Sequence, residues 1–184
     1  IGALTSLYAG GDLHYVGVAN YVDILTNRGG DLLGHGSFWL VLAVTVLWTI
    51  TNVAFHVGIG VGLALLLHRP TVKLRTLHRI LLVVPWAVPS YVTALAWRGM
   101  FHRQLGAINA ILAAFGVEPV SWFAHFSTAF TANLATNVWL GFPFMMVVTL
   151  GALTSIPKDL YEAADVDGAS ALQKLTRITL PMLR

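Results

Sequence analysis

The chain contains no cysteine, so disulfides and thiolate metal sites are excluded. Charge is scarce. Asp, Glu, Lys and Arg make up 10% of the residues, against about 25% in soluble domains. The three longest apolar stretches hold no Asp, Glu, Lys or Arg at all. All eight carboxylates of the chain lie outside them, which disfavours proton-coupled secondary transport, since that usually needs an intramembrane acid or another ionisable relay. No glycine-rich loop ends in Lys-Ser or Lys-Thr, so the chain has no phosphate cradle with which to hydrolyse ATP itself. In the first apolar stretch no second His, Cys or acid stands at metal-ligand spacing from His56, and no metal is expected. A net charge of +3 is too small to imply nucleic acid.

What is present is apolar. The composition is 57% hydrophobic, with a mean hydropathy of +0.73. An all-α polytopic membrane protein is expected, with spans over about 38–67, 80–97 and 129–153. At 1.5 Å per residue the first reaches about 45 Å, more than a ~30 Å hydrocarbon core requires. It is expected to tilt or protrude. The second span contains Pro85 and Pro89, which free backbone carbonyls and predict a kink.

Charge between the spans sets orientation. The link 68–79 carries Arg69, Lys73, Arg75 and Arg79 and no acid, which places it in the cytoplasm. Residues 1–37, with Asp12, Asp23 and Asp31 against Arg28, then fall outside, as does the segment 98–128. Residues 154–184 fall inside.

That last segment reads as a helical hairpin. Pro157 suits the start of a helix. Leu160, Ala163 and Ala164 fall at i, i+3 and i+4 and give one small apolar face. Gly168 stops the helix, Ser170 with Gln173 forms a capping box for a second one, and Pro181 limits it. Lys158, Lys174, Arg177 and Arg184 balance Asp159, Glu162, Asp165 and Asp167. That balance is poor for a helix–turn–helix on a phosphate backbone. A surface hairpin with no partner fits the spacing equally well.

Glu162-Ala163-Ala164, Gly168, Ile178, Leu180 and Pro181 together resemble the EAA loop of bacterial ABC importer permeases. The resemblance extends over Val16-Gly17-Val18-Ala19-Asn20-Tyr21, Val84 to Ser90, Phe101 to Asn109 with Gly106, and Asn137 to Met146. It is strongest to the larger membrane subunit of maltose/maltodextrin importers. It implies a bacterial inner-membrane subunit that moves a sugar unchanged and is not an enzyme. The implied partners are a second permease, a dimer of ATPase subunits that binds ATP and Mg, an extracytoplasmic sugar-binding protein and membrane lipid. No nucleic acid and no cofactor of the chain's own are implied. Glu162, Ala163, Ala164, Gly168, Ile178, Leu180 and Pro181 would couple to the ATPase. Permeases of this type have about six core spans, two of them after this loop, so the chain reads as the middle of one.

Asn137, Leu140, Gly141 and Phe144 share one helical face of the third span. An amide, a gap and an aromatic ring suit a sugar, and small and polar residues equally suit helix packing. The resemblance implies substrate contact at these four, and also at Trp86 and Ser90, read as i, i+4 in the second span. Phe142 and Phe144 depart from the maltose pattern, where tyrosine is common at both. In the first span, Ala54, Gly58 and Gly62 at four-residue spacing predict close helix packing, and Asn52 with His56 a polar pair. No Arg or Lys lies in the three spans, so a neutral sugar is preferred to a phosphorylated one. A permease for another solute is the nearer alternative. A membrane-embedded enzyme is the more distant one, since Ser90 has no activating group nearby in sequence.

Overall fold

The structure, a computed structural model, describes residues 17–27, 30, 31, 34, 36–69 and 71–183. Asp12, Val16 and Arg28, which entered the reading of the first segment, lie outside these. Among the described residues all regular structure is helical. The chain divides into two compact units, Ile1–Ile50 and Thr51–Arg184.

In the first unit, α1 (Ala19–Thr26) ends at Asn27, which takes a left-handed conformation at φ 51°. Asparagine tolerates that region better than most residues. The Trp39 indole N–H donates to the Leu25 carbonyl at 2.8 Å. This satisfies one of the acceptors that every helix end leaves open.

The helix α2 (Phe38–His68) and the helix α6 (Phe126–Ser155) are each long and apolar enough to cross a membrane. The second expected span is different. It is two helices, α3 (Arg75–Ala87) and α4 (Ser90–Met100), bent by 92° at a short break. Both prolines lie nearby, but only one marks the break. Pro85 is buried inside α3 and the helix runs through it. Pro89 precedes α4, and Val88 before it is extended at φ −83°, ψ 136°. A residue before proline is pushed out of the helical region by the pyrrolidine ring. The kink expected of one helix is thus a corner between two.

In the second unit, Ala64 and Leu67 of α2 pack with Met146, Leu150, Leu153 and Ile156 of α6 and its end. Close approach occurs at Gly60. A Cβ there would stand 2.5 Å from the Met145 Cβ and 2.9 Å from the Met146 nitrogen. The expected register through Ala54, Gly58 and Gly62 is therefore corrected. Gly58 and Gly62 face open space, and the buried edge of α2 runs through Asn52, Gly60, Ala64 and Leu67. Arg79 of α3 donates to the Leu67 carbonyl at 3.3 Å, covering an acceptor in the last turn of α2.

Between α4 and α6 a short helix, α5 (Ala107–Ala114), is fixed by one side chain. Asn109 is 3% exposed. Its Nδ2 donates to the carbonyls of Arg103 and Val120, both at 2.9 Å. Its Oδ1 accepts from the Val120 amide at 3.2 Å and the Trp122 indole at 3.0 Å. Truncating it to alanine orphans several buried polar groups, each costing about 1–3 kcal/mol. Asn109→Ala is expected to lower the unfolding temperature and open 101–125 to protease. Unchanged proteolysis would show that the loop is held by its aromatic contacts instead.

Candidate functional site

Two regions carry the expected functional residues. The first is the hairpin that follows α6. The helix α7 (Lys158–Val166) ends on Asp167, and Gly168 follows at φ 73°. The Gly168 amide donates to Asp165 at 3.1 Å, and the Ala169 amide to Ala164 at 2.8 Å. This is a Schellman ending, in which a left-handed residue lets two amides cap the last carbonyls. The expected capping box is present. Ser170 Oγ accepts from the Gln173 amide at 3.3 Å, and Gln173 Oε1 accepts from the Ser170 amide at 2.7 Å.

The second arm departs from expectation. A single α-helical turn, α8 (Ala171–Lys174), widens into a π-turn over Leu175–Thr179 and closes as α9 (Leu180–Met182). Pro181 lies within α9 and does not stop the helix before it. Proline has no N–H to donate, and its ring crowds the carbonyl four residues back. The wider turn just before it accommodates both, as π-bulges do elsewhere.

The arms are tied together. Tyr161 OH shares a hydrogen bond with Thr179 Oγ1 at 2.9 Å, and Lys174 Nζ pairs with Asp165 Oδ1 at 2.5 Å. Tyr161 and Leu183 also pack against the buried cluster of α2 and α6. The inner face of α7 is therefore Tyr161 and Ala164, in place of the Leu160–Ala163–Ala164 stripe read from spacing. Leu160, Glu162 and Ala163 are exposed together. On the second arm Leu180 and Pro181 are exposed and Ile178 is half-buried. The expected coupling residues thus include an acid set among small apolar side chains on an open surface. Tyr161 and Thr179 were not singled out in the sequence, because neither carries a signal until the π-turn brings them together.

The second region lies where α3, α2 and α6 meet. Trp86 and Phe144 are brought together, ring centroids 6.4 Å apart at 39°. Both stay open, 59% and 51% exposed. Phe144 lies about 200° around α6 from the fully buried Met146, given 3.6 residues per turn. Its face therefore looks away from the core. Ser90 is not on the same helix as Trp86. It opens α4, beyond the 92° corner, so the expected i, i+4 pair does not form.

Asn137, Leu140 and Gly141 are half-buried. At Gly141 a Cβ would stand 2.4 Å from the His56 ring. The His56 Nε2 donates to the Asn137 carbonyl oxygen at 3.0 Å. A carbonyl only accepts, so His56 carries its proton on Nε2. At this edge the face packs on α2, and the glycine gap is filled by an imidazole. One helix turn further on, at Phe144, the face is free. The arrangement suits a flat apolar surface edged by an amide, and among the described residues no acid–base constellation accompanies it.

A helical membrane protein with a corner in its second candidate span and a braced helical hairpin after α6 is the class these features define. A family model described as binding-protein-dependent transport system inner membrane component matches residues 56–184. The chain belongs to this family, and it is an inner-membrane protein. The galactooligosaccharides transport system permease protein GanP of Bacillus subtilis is 39% identical over 172 residues, which are 93% of this chain and 40% of GanP. The maltose/maltodextrin transport system permease protein MalF of Salmonella typhimurium is 37% identical over 169 residues, 91% of this chain and 32% of MalF. The chain thus spans well under half the length of these relatives. A solved bacterial ABC transporter involved in the import of the acidic polysaccharide alginate shares the fold, with a TM-score of 0.73 at 22% identity. That match covers 89% of this chain and 60% of the solved one.

Proposed function

We propose that this chain forms part of the translocation pathway of an ATP-driven importer for a neutral oligosaccharide of the maltodextrin or galactooligosaccharide kind. The observation that carries the reading is its identity of 37–39% to two sugar permeases across more than nine-tenths of its length. The chain carries out no chemistry on the sugar. Partner ATPase subunits bind ATP and Mg, a second permease completes the pathway, and an extracytoplasmic binding protein delivers the sugar. The exposed Leu160, Glu162 and Ala163 of α7 dock on the ATPase. The open Trp86–Phe144 pair, with Asn137 beside it, contacts the sugar. ATP binding moves the hairpin as one body, because Tyr161 and Thr179 tie its arms, and the spans switch between inward and outward access. The test is ATP hydrolysis by the assembled complex, stimulated by a sugar-loaded binding protein across a panel of sugars. A complex that hydrolyses ATP at the same rate with and without every loaded binding protein would sink the reading.

Orientation has its own test. Single cysteines at Thr71 and Gly168 are expected to react with an impermeant thiol reagent only from the cytoplasmic side, and one at Gly116 only from outside. Thr71, Gly116 and Gly168 are exposed, so burial does not confound the labelling. Outside labelling of both Thr71 and Gly116 would overturn the topology.

A further inference from the structure

We propose that the cleft between α4 and the first half of α6 is a second carbohydrate subsite, which holds a further ring of a bound oligosaccharide and sets chain-length preference through Arg98. The proposal rests on the sugar-permease reading above. The cleft has a volume of about 710 Å³, and Tyr91, Arg98, Phe101, Phe123, Asn133 and Thr136 are among its lining residues. The sequence placed Arg98 just outside the second span. The structure places it in the last turn of α4 and in this cleft.

Each lining group has a use for a sugar. Asn133 Nδ2 donates to the Ala129 carbonyl at 2.8 Å, and Thr136 Oγ1 donates to the Ala132 carbonyl at 2.9 Å. One of the two Asn133 amide N–H groups and the Thr136 O–H are occupied, and both side-chain oxygens are left to accept. Arg98 is exposed and makes no hydrogen bond or ion pair among the described residues. A guanidinium only donates. A hydroxyl both donates and accepts, so vicinal sugar hydroxyls satisfy both kinds of group at once. The apolar wall is aromatic. Phe101, 4% exposed, is held by the Trp122 ring at 5.0 Å, and the Phe123 ring stands across it at 81°. Phe101 backs the wall, and the exposed rings of Phe123 and Tyr91 suit the C–H face of a pyranose. A cationic ligand meets Arg98, and a purely apolar one leaves it unpaired.

The cleft also continues the face of α6 that carries Asn137 and Phe144. Asn133 and Asn137 are one turn apart on the same side of α6. From Asn133 to Phe144 the helix rises about 16 Å, room for more than one ring.

The test uses the complete transporter with its binding protein. Uptake of maltose is compared with maltotetraose, and galactobiose with galactotetraose, for the unaltered complex, Arg98→Leu, Arg98→Lys and Asn133→Ala. Arg98→Leu is expected to raise the tetrasaccharide KM about tenfold, the loss of a hydrogen bond to a charged group. Disaccharide uptake is expected to stay unchanged, and Arg98→Lys to recover part of the loss. Equal loss for both lengths would make Arg98 a packing or lipid-facing residue and overturn the subsite. An unchanged tetrasaccharide KM would overturn it too, with the permease reading intact. No uptake of any sugar by the unaltered complex would sink the permease reading, and the subsite with it.

Discussion

Replacing Gly168 with proline is expected to sever ATP hydrolysis from sugar uptake while leaving the spans assembled. Gly168 sits at φ 73°, and proline is locked near −65°. Its amide also donates to Asp165, a bond that proline cannot make. The Schellman ending is then lost, and the angle between α7 and the second arm changes. A mismatched proline destabilises locally by more than about 1 kcal/mol, and here the loss falls on an exposed hairpin outside the α2–α6 core. Glu162→Lys reaches the same end by another route. Glu162 is exposed on α7, so the fold tolerates the change, but the sign of charge on the proposed docking surface is reversed. Both variants are expected to purify with weakened ATPase, or with ATPase whose activity no longer follows the loaded binding protein. Co-purification, stimulated hydrolysis and uptake measure this together. Full coupled uptake in both variants would remove the hairpin from the coupling pathway.

Residues of the hairpin could be found in the sequence because their signals are local. A helix stop needs one glycine, and a capping box needs a serine and a glutamine three residues apart. Both were readable as letters, and both are in the structure. The π-turn was not, because it arises from the conflict between Pro181 and a helix that tertiary packing keeps going past it. The corner at Pro89 was half legible. Two prolines predicted a distortion, but nothing local distinguishes Pro85, which sits buried within α3, from Pro89, which ends the run. The least legible feature was the packing edge of α2. A helix that is apolar all round carries no periodic mark of its inner face. Small residues at four-residue spacing occur on both sides of it, Gly58 with Gly62 and Gly60 with Ala64, and only the approach of Met145 selects Gly60 over Gly58 and Gly62. The candidate sugar face was placed on one side of α6 by spacing. What the letters did not show is that one edge of it belongs to His56.

That edge separates the packed part of the face from the part proposed to bind sugar, and substitutions on either side of it are expected to fail differently. Gly60→Ala places a Cβ 2.9 Å from the Met146 backbone nitrogen and 2.5 Å from the Met145 Cβ. Backbone cannot step aside, so α2 and α6 must separate, at about 1–3 kcal/mol for overpacking. For Gly141→Ala the nearest obstacle is the His56 ring, at 2.4–2.9 Å. Both variants are expected to lower the amount and thermal stability of solubilised protein. Because the obstacle at Gly141 is a side chain, His56→Ala is expected to restore the Gly141→Ala protein and to do nothing for Gly60→Ala. Phe144→Ala lies on the free side. It is expected to leave amount and stability unchanged and to reduce sugar uptake roughly two- to tenfold, the scale of one aromatic stacking contact. Asn137→Ala keeps the carbonyl that His56 uses, so it also tests the amide as a ligand group without disturbing the helix pair. Normal uptake in both Phe144→Ala and Asn137→Ala, with the glycine variants failing as described, would make this face a helix interface along its whole length.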